Sequence, residues 1–293
     1  MTGPGRIAGA PISWGVCEAP GWGHQMRAHR VLAEMRELGL RATEAGPDGF
    51  LPGEPGAARS MLAAHGLTLA GGFVPLVLHR GTGWRDELRR VAGYLAACGG
   101  EVAVLAAVAG HDGYDTHSPL SATDWRTLLN ALDEAAALAA GHGLRAVLHP
   151  HVGTVVQRPA EIERVLAGTQ IPLCLDTGHI RAGGGDPAAL ARQAAGRIGH
   201  VHLKDVLAGY ADQVAEGSMR YAAAVRAGLY CPLGDGDAGI AAVLESLRAA
   251  GYGGWYVLEQ DLMLDAEPPA GGGPREQVAG SLRFLRDALP GAA

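Results

Sequence analysis

Short apolar runs alternate with longer amphipathic stretches along almost the whole chain. The runs of strand length are 7–14, 42–45, 67–76, 102–108, 145–149, 172–175, 198–203 and 255–259. Between them apolar residues return at three- and four-residue intervals, the period of a helix with one buried face. Val31, Leu32, Met35 and Leu38 mark the first such stretch, 27–38. The segments 84–97, 124–140, 160–166, 187–195 and 240–250 repeat the pattern. Asp186 before Pro187 is an N-cap followed by proline at the first helical position. Gly39, Gly66, Gly99, Gly143 and Gly251 stand where helices stop.

Strands interleaved one by one with helices define a parallel α/β fold, and near-continuous apolar strands fit a sheet covered on its outer face. A count of eight predicts a closed (β/α)8 barrel, a TIM barrel, as a single domain over 1–293. No G-x-G-x-x-G follows the first strand, which removes the main argument for a dinucleotide fold. Gly271, Gly272 and Gly273 form a loop before a last helix, 276–289.

Composition narrows the function. The chain is 48% apolar and 18% charged, enough for a large core. Its formal charge of −6 opposes binding to a polyanion, so no nucleic-acid partner is expected. No apolar run is long enough to span a membrane, and the opening MTGPGRIAGA lacks a signal-peptide core. Cys17, Cys98, Cys174 and Cys231 form no C-x-x-C pair, which fits a reducing cytoplasm. Lys204 is the only lysine, against 23 arginines. An ammonium is a compact charge whose pKa can shift, and a guanidinium is neither compact nor readily deprotonated. That position is therefore expected to need lysine specifically.

In such a barrel the chemistry sits where strands end and βα loops begin. The polar residues gather there: Ser13 and Trp14, Thr43 and Glu44, His149 and His151, Asp176 and His179, His200, His202 and Lys204, then Glu259 and Asp261. Residues two apart on a strand share a face, so His149 pairs with His151, and His200, His202 and Lys204 align. One His, one Asp, a second His and one Glu from successive strand ends can meet at one point. That mixed N/O shell suits Mn²⁺, Co²⁺, Fe²⁺ or Zn²⁺ better than Ca²⁺. Taken singly, a strand-end histidine is more often a hydrogen-bonded surface residue, and Asp176 and Asp205 have the placement of caps or turn residues.

The segments L-H-P-H-V-G-T, L-D-T-G-H, H-V-H-L-K-D and V-L-E-Q-D resemble the sugar phosphate isomerase/epimerase superfamily, the xylose-isomerase-like TIM barrels. A-P-I-S-W-G, T-E-A-G-P-D-G-F-L-P and C-P-L-G-D-G-D resemble the inosose (2-keto-myo-inositol) dehydratase branch in particular. The resemblance implies one divalent ion, Mn²⁺ or Co²⁺, with Fe²⁺, Zn²⁺ or Mg²⁺ as alternatives. Carried over, its ligands are His149, Asp176, His202 and Glu259. Many superfamily members have Glu at the strand-five position. Here His149 stands there, with His151 as the competing ligand and otherwise a substrate contact.

Loss of that Glu removes half of the two-carboxylate pair used by the epimerases, which tilts the reading toward dehydration of a keto-cyclitol. The implied catalytic residues are Glu44, His179, Lys204 and Glu259, with Trp14 as an apolar wall for the ring carbons. Trp22 and His24 are expected to close over the mouth. An isomerase or epimerase of a keto-sugar is the alternative activity. A non-catalytic sugar-binding barrel and the superfamily's apurinic-site endonucleases are further alternatives; the charge opposes the last. Related barrels suggest a homodimer or homotetramer.

Overall fold

The computed structural model describes residues 6–111 and 113–289. Eight parallel strands close into a barrel: β1 (Arg6–Gly9), β2 (Ala42–Glu44), β3 (Thr68–Leu76), β4 (Val102–Ala107), β5 (Arg145–Leu148), β6 (Leu173–Asp176), β7 (Ile198–Leu203) and β8 (Trp255–Leu258). β1 completes the ring, pairing with β8 from Arg6↔Trp255 to Gly9↔Leu258 and with β2 at Gly9↔Thr43. This is the eight-stranded architecture expected from the alternation.

Two of the expected elements differ. The run 7–14 is strand only to Gly9, and Pro11–Trp14 turns as a 3₁₀ helix. Proline has no N–H for the ladder and its fixed φ suits the start of a helix, so the strand ends just before it. The connection from β7 to β8 is also more elaborate than the sequence suggests. It carries an antiparallel ribbon, Asp205–Val206 with Tyr230–Cys231, around the helices Ala208–Glu216 and Tyr221–Arg226. Asp205 organises the turn that follows, accepting N–H bonds from Gly234 (2.9 Å), Gly236 (3.2 Å) and Ala238 (2.9 Å). Of the helices left out above, Pro55–Ala64 is capped by Glu54, whose carboxylate accepts from the N–H groups of Gly56 and Ala57.

Strand parity separates two apolar layers. Leucine-rich faces pack outward against the helices, as Leu69, Leu105, Leu148, Leu175 and Leu203 do. The inner layer is mostly small, with Ala8, Ala42, Ala70, Val104, Val147, Cys174 and Val257, and Trp255 at the start of β8 is its one large member. Two residues further along, the same inner face turns polar. Ala42 is followed by Glu44, Val147 by His149, Cys174 by Asp176 and Val257 by Glu259. The floor of the barrel is thus hydrocarbon and its C-terminal mouth carries the chemistry.

Candidate active site

Asp176 ends β6 and also begins the helix Thr177–Ala182. Its Oδ1 accepts the His179 N–H at 2.7 Å, the bond of an N-cap. That bond fixes the carboxylate and aims Oδ2 at the barrel axis, 3.1 Å from His149 Nε2 and 3.6 Å from His202 Nδ1. The cap and the candidate ligand are one residue.

His202 is oriented from behind. Its Nε2–H donates to Glu44 Oε1 at 3.2 Å, and His200 Nε2–H donates to the same oxygen at 2.8 Å. This leaves His202 Nδ1, buried and with no hydrogen-bond partner among the described residues, 3.2 Å from Glu259 Oε2. Asp176, His202 and Glu259 bring ligand atoms within 4.8 Å of one another, and His149, Asp176 and His179 form a second such group through the same aspartate. The four residues are all buried and come from four neighbouring strand ends. Two imidazole nitrogens and two carboxylates, with an orphaned nitrogen aimed between the acids, fit a divalent ion.

His151 stands apart from this group. Its Nδ1–H donates to the Val152 carbonyl at 2.6 Å, and its ring lies on His179 with centroids 3.7 Å apart. His149 therefore has the geometry of the ligand and His151 that of cavity wall.

Lys204 follows His202 on the inner face. Its ammonium forms ion pairs with Asp261 Oδ1 at 2.7 Å and Glu259 Oε2 at 2.9 Å and donates to His179 Nε2 at 3.0 Å. Burial alone would lower its pKa, but Asp176, Asp261 and Glu259 hold it well above the ordinary lysine value. It is a charged acid at neutral pH. Burial likewise opposes the charge of Asp176, which Lys204, His179, the hydrogen bond from His149 and the nearby His202 ring keep well below the usual carboxylate range. Burial opposes the charge of Glu259 too, and His202 and Lys204 lower it. Desolvation pushes His149, His151, His179 and His200 below the ordinary histidine value, which favours their neutral form.

A cavity of about 500 Å³ opens onto this centre, lined there by Glu44, His149, His151, His202, Lys204 and Glu259, with Asp261 and Tyr221 beside them. One sequence expectation is corrected. Trp14 forms no wall of the cavity: the 3₁₀ turn swings it into the core, fully buried, with its indole N–H on Glu34 Oε2 at 2.7 Å. Trp22 lines the mouth instead, its indole tied to the Leu262 carbonyl at 2.7 Å. His179 is absent from the cavity lining; it lies against His151 and Lys204, and a ring nitrogen of it stands within 4.8 Å of ligand atoms of His149 and Asp176, as expected of a residue beside the ion. His24 latches the same loop as Trp22, its N–H on the Leu264 carbonyl at 2.6 Å and its ring against Glu267.

Asp261 stands among the strand-end polar residues of the sequence without an assigned role, and Tyr221 is not among them. Asp261 holds Lys204 through Oδ1 and accepts the Tyr221 hydroxyl on Oδ2. The signal for Asp261 was present: it follows Glu259 by two residues. Tyr221 comes from the long β7–β8 connection and carries no such signal.

The architecture matches known proteins. Residues 32–288 match the xylose isomerase-like TIM barrel family model, and the chain belongs to that family. Within it, the chain is 33% identical over 272 residues to the inosose dehydratase of Geobacillus kaustophilus, covering 88% of both chains. It is 32% identical to the rhizopine catabolism protein MocC of Rhizobium meliloti, covering 87% of this chain and 81% of that one. Among solved structures, an L-ribulose 3-epimerase superposes with a TM-score of 0.70 at 19% identity, covering 97% of this chain and 94% of that chain, a likeness of fold.

Proposed function

We propose that the protein is a divalent-metal-dependent dehydratase, a carbon–oxygen lyase, acting on a keto-cyclitol such as 2-keto-myo-inositol. His149, Asp176, His202 and Glu259 would hold the ion. When bound, it supplies Lewis acidity that polarises a ketone and acidifies the neighbouring C–H. Mn²⁺ or Co²⁺ suits the N/O shell, ahead of Fe²⁺, Zn²⁺ or Mg²⁺.

The carrying observation is the 2.9 Å contact between Lys204 Nζ and Glu259 Oε2 at the cavity surface. The Glu259 carboxylate takes the proton α to the ketone. The Lys204 ammonium gives a proton to the hydroxyl leaving the adjacent carbon. One water is lost, an unsaturated ketone forms, and the proton on Glu259 passes to Lys204 across their 2.9 Å contact. Asp261 and His179 position the ammonium; Glu44, itself held by His200, orients His202. His151 contacts the substrate ring. Close homology to inosose dehydratases supports dehydration over the alternative, isomerisation or epimerisation of a keto-sugar or keto-cyclitol at the same centre.

The same reading puts a single-domain enzyme in the cytoplasm, in inositol catabolism, as a homodimer or homotetramer. Small polyols are its partners, and neither nucleic acid nor membrane is. No helix among the described residues is long and apolar enough to cross a membrane. The reaction is tested by incubating the Mn²⁺-loaded protein with 2-keto-myo-inositol in D₂O. Dehydration gives a product lighter by one water; an isomer of unchanged formula carrying solvent deuterium would overturn it.

A further inference from the structure

The cavity has two ends of opposite character. Its inner end is the polar centre formed by β5–β8. From there it continues past Phe73 and Pro75, on the inner face of β3, into an arm between the loop after β2 and the helix Trp84–Ala97. Ala45, Pro47, Leu51, Val91, Tyr94 and Leu95 line the arm. Pro47, Val91 and Tyr94 are only half-buried and Pro75 is exposed, so apolar surface faces the cavity. The polar groups nearby are already engaged. The Tyr94 hydroxyl donates to the Pro52 carbonyl at 2.8 Å, and Arg90 at the rim is held by Asp48 at 3.0 Å and Glu87 at 2.6 Å.

An unsubstituted keto-cyclitol carries a hydroxyl on every carbon except the ketone. A hydroxyl placed against Pro47, Leu51, Val91 and Leu95 would lose water and gain no partner from those side chains, which is unfavourable. A hydrocarbon group placed there would gain from leaving water. We infer that the preferred substrate is a keto-cyclitol or keto-sugar in which one hydroxyl carries an apolar O-linked group, an alkyl or aryl ether, with that group seated in the arm. The inference rests on the reaction proposed above for the placement of the ketone at the metal end.

The test compares 2-keto-myo-inositol with its mono-O-methyl and mono-O-benzyl ethers on the Mn²⁺-loaded protein. The best benzyl ether should exceed the parent ketone in kcat/KM by about tenfold or more, chiefly through KM. Val91→Asp, which places a charge in the arm, and Val91→Trp, which fills it, should each bring that ratio close to unity. Turnover of the parent with no advantage for any ether would overturn the inference and leave dehydration standing. If no ketone is turned over, the proposed reaction fails and the arm is judged by calorimetry on the metal-free protein. An O-benzyl-myo-inositol should then bind about tenfold tighter than myo-inositol; equal affinities would overturn the arm.

Discussion

The side chains of Lys204 and Glu259 meet at 2.9 Å, the acid and the base of the proposed elimination forming one ion pair. Both are buried and both line the cavity. Replacing the ammonium by a guanidinium would keep the charge but not its compactness. Lys204→Arg should lower turnover at least about tenfold, while metal content, measured by mass spectrometry of the loaded protein, stays constant. Unchanged turnover would remove Lys204 from the chemistry.

Glu44 accepts from both His200 and His202 and so fixes the ring that presents Nδ1 to the acids. A carboxylate in that place typically accounts for about 10–100-fold in metal affinity. Glu44→Gln should weaken Mn²⁺ binding by that order, and saturating Mn²⁺ should restore most of the turnover. A turnover defect that persists at saturating metal would instead make Glu44 a proton carrier.

Trp14 is expected to matter for stability alone. Its indole N–H satisfies the buried Glu34 carboxylate, which Arg30 also holds at 3.0 Å. Trp14→Phe leaves one oxygen of Glu34 without that donor, a cost of about 1–3 kcal/mol. Thermal denaturation should shift down by several degrees while KM for the ketone is unchanged. A raised KM with unaltered stability would return Trp14 to the cavity.

A pH-dependent contribution lies away from the centre. His117 Nε2 donates to Glu161 Oε1 at 2.9 Å, tying the loop after β4 to the helix Pro159–Gly168. The bond from Glu161 raises the His117 pKa. Burial opposes the charge of Glu161, and the bond from His117 and the N–H groups of Arg158 and Gln157 lower it. The histidine's share is fully present below its ordinary value of 6.5 and is lost as pH rises through the raised value. The glutamate's share is present above its ordinary 4.5 and is lost as pH falls through the lowered value. The stability difference between the wild type and His117→Gln should therefore be largest between those two ordinary values and shrink at alkaline pH. A difference independent of pH would assign the effect to packing.

How much of this was legible depended on strand parity. His149, Asp176, His202 and Glu259 each follow an inward residue by two places, so an alternation of two was enough to bring them together. Lys204 was legible for the same reason and because it is the only lysine. Trp14 was misplaced because an apolar run through Pro11 looks continuous, although the proline ends the ladder and turns the chain. Glu44 was legible as an inward acid, but its task depends on which nitrogen of His202 it meets, and spacing does not reveal that. Tyr221 stayed hidden because it reaches the cavity from an irregular connection with no period to extrapolate.

The central claim, that four strand ends share one cation, is tested most directly by anomalous diffraction from Mn²⁺-loaded crystals. The expected result is a single strong peak within ligand-bond reach of His149 Nε2, His202 Nδ1 and the carboxylates of Asp176 and Glu259. A peak on Glu44 and His200 instead, or none at saturating Mn²⁺, would contradict it.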